Sequence, residues 1–178
     1  MARDPIEFEL ACFMQAYEFE MAAECLGQGI YQPGSQGKPV LFVAAVAVSS
    51  ALSLELYLKC LLHVETGKAH RGHELLTLFG LLEKGHMNRI EKLYEDERPR
   101  RSGGRSDLGL SLSEVLRLAN NAFPDWRYSF EIVNRPGGLN YGAAYIVPHV
   151  KTVILEASPI LEERILVRLG MASFCHRR

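Results

Sequence analysis

The stretch Ser53–Phe79, SLELYLKCLLHVETGKAHRGHELLTLF, decides how the rest of the chain is read. Its first half continues an apolar run that begins at Val40, and no residue from Val40 to Leu54 is charged. Apolar residues all round a helical wheel, rather than along one stripe, mark a helix enclosed on several sides. Glu55 and Lys59 interrupt the run four residues apart, glutamate first, so the two can pair across one turn. Gly67 closes this helix, and Gly72-His73-Glu74-Leu75 opens a second, leucine-rich one.

A bilayer-spanning reading of the same run fails on length. The uncharged part, Val40–Leu54, is 15 residues, against roughly 20 needed to cross the hydrocarbon. A central core helix is expected, with no membrane partner. The 178 residues suit one domain, 1–178, able to bury a core without disulfides or metals. Hydrophobic residues at 48% and charged ones at 23% place the chain among globular proteins. A formal charge of -1 gives no overall pull toward nucleic acid or acidic lipid, so polyanion binding needs a local patch. Cys12, Cys25, Cys60 and Cys175 form no CxxC, and MARDPIEFEL lacks the basic-then-apolar layout of a secretory signal. Both features point to reduced thiols and a cytoplasmic location.

Working outward, Phe8, Cys12, Ala16, Phe19, Ala23 and Leu26 recur at helical spacing and predict a first helix from Ile6 to Leu26, ended by Gly27 and Gly29. Pro39 can open the central helix at its first position. A third helix is expected over Glu74–Glu83, and a fourth in MNRIEKLYEDE, stopped by Pro99. Residues 98–109 read as a flexible Arg/Gly-rich loop carrying Arg98, Arg100, Arg101 and Arg105. A fifth helix follows in SLSEVLRLANNAF with Ser111 or Ser113 as its cap, and Pro124 interrupts it before DWRYSFEIV. Pro148 disfavours helix in the residue before it, and LNYGAAYIV could hold a short extended piece. Ser158–Pro159 reads as a cap and first-turn proline for a last helix. The fold class expected is an all-α, up-and-down helical bundle of about six to seven helices.

Few patterns carry chemistry. Cys60-x2-His63-x6-His70-x2-His73 has zinc-like spacing. Yet cysteine is commonly buried, and His73 stands where a helix start offers it other partners; no metal and no cofactor is expected. FPDWRYSFE, Phe123–Glu131, sets Trp126 beside Arg127 and Tyr128, which suits a core–rim junction or a surface that stacks bases. Phosphate-binding Gly-rich loops, GxSxG and HExxH are absent.

The run ALSLELYLKCLLHVETGKAHRGHELLTLF resembles the HEPN superfamily (higher eukaryotes and prokaryotes nucleotide-binding domain). Its members often carry a long helix reading A-x-x-x-E-x-x-L-K-A-L-L, a turn, and G-H-D/E-L at the next helix start. Glu55, Leu58, Lys59, Leu61 and Leu62, then Gly72, His73, Glu74 and Leu75, match. FPDWRYSFE is similar to a segment of uncharacterised HEPN-like proteins. The resemblance implies a helical bundle that often forms a homodimer, with RNA, a nucleotide or a nucleotidyltransferase-like protein as partner. In the family's ribonuclease branch an Arg-x(4–6)-His motif does the chemistry, and here no arginine is followed by histidine at that spacing. The nearest analogue is Arg135 with Tyr141, or with the more distant His149. A tyrosine with a pKa of about 10 is a poor base at neutral pH. The leading expectation is therefore a non-catalytic binding module in which Glu55, Lys59, His73 and Glu74 fix the two-helix register, with Arg127 and Arg135 near a cleft. The alternative is a metal-independent endoribonuclease, toxin-like, with a variant site at Arg135 and Tyr141 or His149.

Overall fold

The computed structural model describes residues 4–30, 43–101, 110–120 and 142–171. Seven helices make up these described residues, with no strand among them, so the all-α bundle expected from sequence is the observed architecture. They are α1 (Pro5–Ile30), α2 (Val43–Thr66), α3 (Leu75–Gly80), α4 (Lys84–Arg101), α5 (Leu112–Asn120), α6 (Gly142–Ala157) and α7 (Pro159–Arg168).

Helix α2 is the hub, packing most extensively against α1 and α6 and also touching α3 and α5. Leu54, Tyr57, Leu58, Cys60, Leu61 and Leu62 are all fully buried. Three consecutive buried positions, 60 to 62, span most of a helical circumference, so neighbours must lie on more than one side. By length and composition Ala44–Thr66 could cross a membrane, but 56% of that window is buried inside the bundle. Its apolar surface is therefore largely consumed by protein. Gly67 ends the helix at φ 66°, a left-handed conformation that favours glycine, and its N–H donates to the His63 carbonyl at 2.7 Å.

Helix α1 runs antiparallel to α2: Glu9 meets His63, Phe13 meets Tyr57, and Ala16 meets Ser53. Helix α4 runs antiparallel to α6, with Arg89 at Glu156 and Glu97 near His149. Ile146, Val150, Val153 and Ile154 of α6 form an inward stripe at helical spacing and are fully buried.

Several local signals act as expected. Ser111 and Glu114 form a reciprocal box at the start of α5, with Ser111 N–H donating to Glu114 Oε2 at 2.8 Å and Glu114 N–H to Ser111 Oγ at 3.3 Å. Ser158 Oγ accepts from Leu161 N–H at 3.4 Å above Pro159 in the first turn of α7.

Other boundaries differ. Helix α1 continues through Gly27 to Ile30, an interior glycine being a cost of about 1 kcal/mol rather than a stop. Helix α3 is shorter than expected, ending at Gly80, because the chain turns at Leu81 and Leu82 and α4 begins at Lys84. Helix α4 runs past Pro99 to Arg101; so near a C-terminus little of the hydrogen-bond ladder remains for a proline to break. Helix α6 contains Pro148 without interruption and begins at Gly142, which removes the extended piece considered for 142–147. Pro148 is exposed while Ile146, Val147, His149 and Val150 around it are buried. The packed face holds the helix together while the proline ring sits outside. Pro39, Pro124 and the expected 102–109 loop lie outside the described residues.

A packing prediction follows from the hub. Leu58→Ala opens a cavity where α2 is fully enclosed, and should lower unfolding free energy by about 2–5 kcal/mol in urea titration. A loss under about 1 kcal/mol would mean the surroundings of α2 collapse freely.

Candidate functional site

Polar groups on and around α2 fall into three sets, distinguished by burial and by whether their hydrogen bonds are complete. The first is the surface clip expected from sequence. Lys59 Nζ donates to Glu55 Oε1 at 2.8 Å, and His73 Nδ1 lies 2.9 Å from the same oxygen. Glu55 is mostly buried at 14% side-chain exposure, whereas His73 is 79% exposed. Glu74 does not cap α3; its carboxylate accepts from Thr77 Oγ1 at 2.9 Å, and Asn120 Oδ1 accepts from Leu75 N–H instead. The clip thus joins the end of the α2–α3 connection to α2, with Asn120 of α5 supplying the cap.

The second set lies in the α1–α2 seam and is complete. His63 Nδ1 is 3.0 Å from Glu9 Oε1, both side chains about nine-tenths buried, and the imidazole stacks on Phe8 with centroids 4.3 Å apart. Ser53 Oγ donates to the Ala16 carbonyl at 2.9 Å. Tyr57 OH donates to Glu20 Oε2 at 2.7 Å, and Lys151 Nζ of α6 reaches both Glu20 oxygens at 2.9 Å. Burial, then the bond to Glu20, raises the Tyr57 phenol far above its ordinary range. It therefore stays protonated and acts as a permanent donor. A comparable carboxylate, Glu65, accepts from Glu83 N–H at 3.1 Å and meets His86 Nδ1 at 2.6 Å at the start of α4. Sequence reading missed these pairs because their partners lie 18 to 131 residues apart.

The third set is incomplete and borders open space. A groove of about 590 Å³ is lined by Glu7, Phe8, Ala11, Cys12 and Gln15 of α1, Leu56 and Lys59 of α2, and His70 of the α2–α3 connection. Residues 8, 11, 12 and 15 follow the i, i+3, i+4, i+7 pattern, so one helical face builds the wall. His70 Nε2 is buried and has no hydrogen-bond partner. A buried polar nitrogen left unsatisfied is costly, and this one lies at the border of the groove. Lys59, which lines the same groove, is mostly buried, held at one point by Glu55 and retaining further N–H donors.

The Cys60/His63/His70/His73 series does not assemble as a ligand cluster. Cys60 faces the Glu9 carbonyl at 3.6 Å, His63 the Glu9 carboxylate, and His73 Glu55. No group of three or more His, Cys, Asp or Glu side chains suited to a metal occurs among the described residues. His149 is 3% exposed, with its ring edge-on to Tyr94 at 6.2 Å and Nε2 3.7 Å from Glu97 Oε2. Trp126, Arg127, Tyr128, Arg135 and Tyr141 lie outside the described residues. No family model, no curated protein and no solved structure matches the chain.

Two of the histidine–glutamate pairs on α2, Glu9–His63 and Glu55–His73, should respond differently to truncation. His63→Ala strands a buried carboxylate and should cost about 3–5 kcal/mol. His73→Ala, on an exposed pair, should cost no more than about 1 kcal/mol. Equal losses in parallel urea titrations would show that burial does not separate the sets.

Proposed function

We propose that this chain is a HEPN-like binding module, cytoplasmic and non-catalytic, that takes a nucleotide or a short single-stranded RNA segment in the α1–α2 groove. The observation that carries the reading is the buried, unpartnered Nε2 of His70 beside Lys59 in an open groove. Its volume falls in the range of about 300–1,000 Å³ usual for small-ligand sites. Lys59 offers a charge-assisted donor to a phosphate, and His70 an imidazole nitrogen with no other partner. Phe8 gives an apolar wall on which a base can stack, and Glu7 and Gln15 provide groups for its polar edge. Kinship with HEPN domains draws support from the enclosed α2 helix and the Glu55–Lys59–His73 clip, the residues on which the resemblance rests.

The ribonuclease alternative draws less. His149 sits in the core against Tyr94, and a proton-transfer group must come within hydrogen-bond reach of the ribose hydroxyl. A homodimer is favoured by a separate observation. Ile160 and Val167 lie seven residues apart on one face of α7 and are 65% and 59% exposed. Such an apolar stripe suits an isologous contact with a second copy.

Fluorescence anisotropy with a labelled single-stranded RNA and with mononucleotides, in chelator, tests the groove. Lys59→Met and His70→Ala should each weaken binding about tenfold, or ~1.4 kcal/mol, while the RNA stays intact. Binding that ignores both substitutions removes the groove from consideration, and RNA cleavage in chelator establishes the enzymatic alternative. For the dimer, Ile160→Glu with Val167→Glu should convert a dimeric light-scattering mass to a monomeric one. A wild type that is monomeric at high concentration defeats that part.

A further inference from the structure

Across the α1–α2 seam, Cys12 and Cys60 are placed reciprocally. Cys12 Sγ lies 3.3 Å from the Leu56 carbonyl, which belongs to the turn of α2 that carries Cys60. Cys60 Sγ lies 3.6 Å from the Glu9 carbonyl, which belongs to the turn of α1 that carries Cys12. Each thiol therefore faces the turn of the opposite helix that carries the other. Their access differs: Cys12 lines the groove, whereas Cys60 is fully buried behind it. Both are free thiols, as is exposed Cys25.

We propose that Cys12 is a hydroperoxide-reactive thiol in the groove wall and that Cys60 resolves its oxidised form into a disulfide joining α1 to α2. The order of attack follows from access. A peroxide entering the groove reaches Cys12 and cannot reach Cys60. The environment supports the same order. The Cys60 thiol, a donor available to a thiolate at Cys12, lowers the Cys12 pKa, burial opposes this, and the Lys59 ammonium lowers it further. The neighbouring Cys12, burial and the Glu9 charge all raise Cys60. The thiolate is the nucleophile, so the reactive sulfur is the one more easily deprotonated.

In the first step the Cys12 thiolate attacks one peroxide oxygen, the O–O bond breaks, and the leaving oxygen departs as water or an alcohol after taking a proton. Cys12 becomes a sulfenic acid. Cys60 sulfur then attacks the Cys12 sulfur, the S–O bond breaks, and the departing hydroxide takes the Cys60 proton as water. Two electrons pass from the thiol pair to the peroxide. The sulfurs must close to about 2.05 Å. The proposal does not depend on what else the groove binds.

The test uses the full chain treated with hydrogen peroxide and then mapped by peptide mass spectrometry. Wild type should yield a Cys12–Cys60 linked peptide. In Cys60→Ser, a Cys12 sulfenic acid should accumulate and be trapped by dimedone about tenfold faster than exposed Cys25 is labelled. If Cys60→Ser does not fold, the wild-type rates decide alone: Cys12 must be consumed ahead of Cys25, with the linked peptide as its product. Cys25 reacting as fast as Cys12 overturns the reactive site. Cys12 proceeding to sulfinic acid in wild type without a linked peptide overturns the resolving role.

Discussion

Enclosing α2 on several sides creates one constraint from which the rest of the architecture follows. A helix with little access to water must find a partner for every polar side chain inside the protein, or carry the cost of an unsatisfied group. The polar groups Ser53, Tyr57, Cys60 and His63 on this helix all find theirs on α1: the Ala16 carbonyl, Glu20, the Glu9 carbonyl and the Glu9 carboxylate. These contacts set the register of the two helices more sharply than leucine packing does. Slipping α1 by one turn would keep apolar surface against apolar surface but strand a carboxylate and an imidazole in the seam. Helix α6 enters the same accounting through Lys151, whose ammonium completes the Glu20 network.

Whether a feature could be read from the sequence depended on how far apart its partners lie along the chain. Glu55 and Lys59 are four residues apart, and Ser111 and Glu114 three, so their pairing follows from helical geometry alone. The all-round hydrophobicity of α2 likewise reports its own burial. Glu9–His63, Tyr57–Glu20 and Cys12–Cys60 join residues 37 to 54 apart or of that order, and no local pattern encodes which face meets which. His63 illustrates the cost. Beside Cys60 and ahead of two further histidines it looked like part of a metal series, yet its partner is a carboxylate on the preceding helix. The prolines misled for the opposite reason. Pro148 is a strong local signal, but it occupies an exposed position on a helix whose other face is buried from Ala143 to Ile154. Tertiary packing outweighed one missing hydrogen bond.

Burial and satisfaction together separate structural polar groups from receptive ones. Glu9, His63, Tyr57 and Glu65 are buried and answered, and their role is to hold helices in place. His73 is exposed, so its bond to Glu55 competes with water and contributes modestly. His70 Nε2 and Ser50 Oγ are the contrasting cases among the described residues, withdrawn from water without gaining a partner, and of the two only His70 lines the groove. A fold rarely keeps such an atom for stability, because a smaller apolar residue would leave no orphaned nitrogen behind.

The groove's construction also limits how it can respond. Its α1 wall consists of positions 8, 11, 12 and 15 on a helix whose adjacent face is locked into the seam, so that wall cannot move without breaking the Glu9 and Ser53 contacts. Lys59 is tethered by Glu55. His70 alone is carried by the connection between α2 and α3, and the Glu55–His73 contact anchors that connection three residues farther on. A ligand in the proposed site would meet a fixed wall and one adjustable imidazole, and would gain affinity by preorganisation rather than by closure of the groove. The same seam holds Cys12 and Cys60 on facing turns, so the proposed groove and the proposed thiol pair rest on one arrangement of α1 and α2.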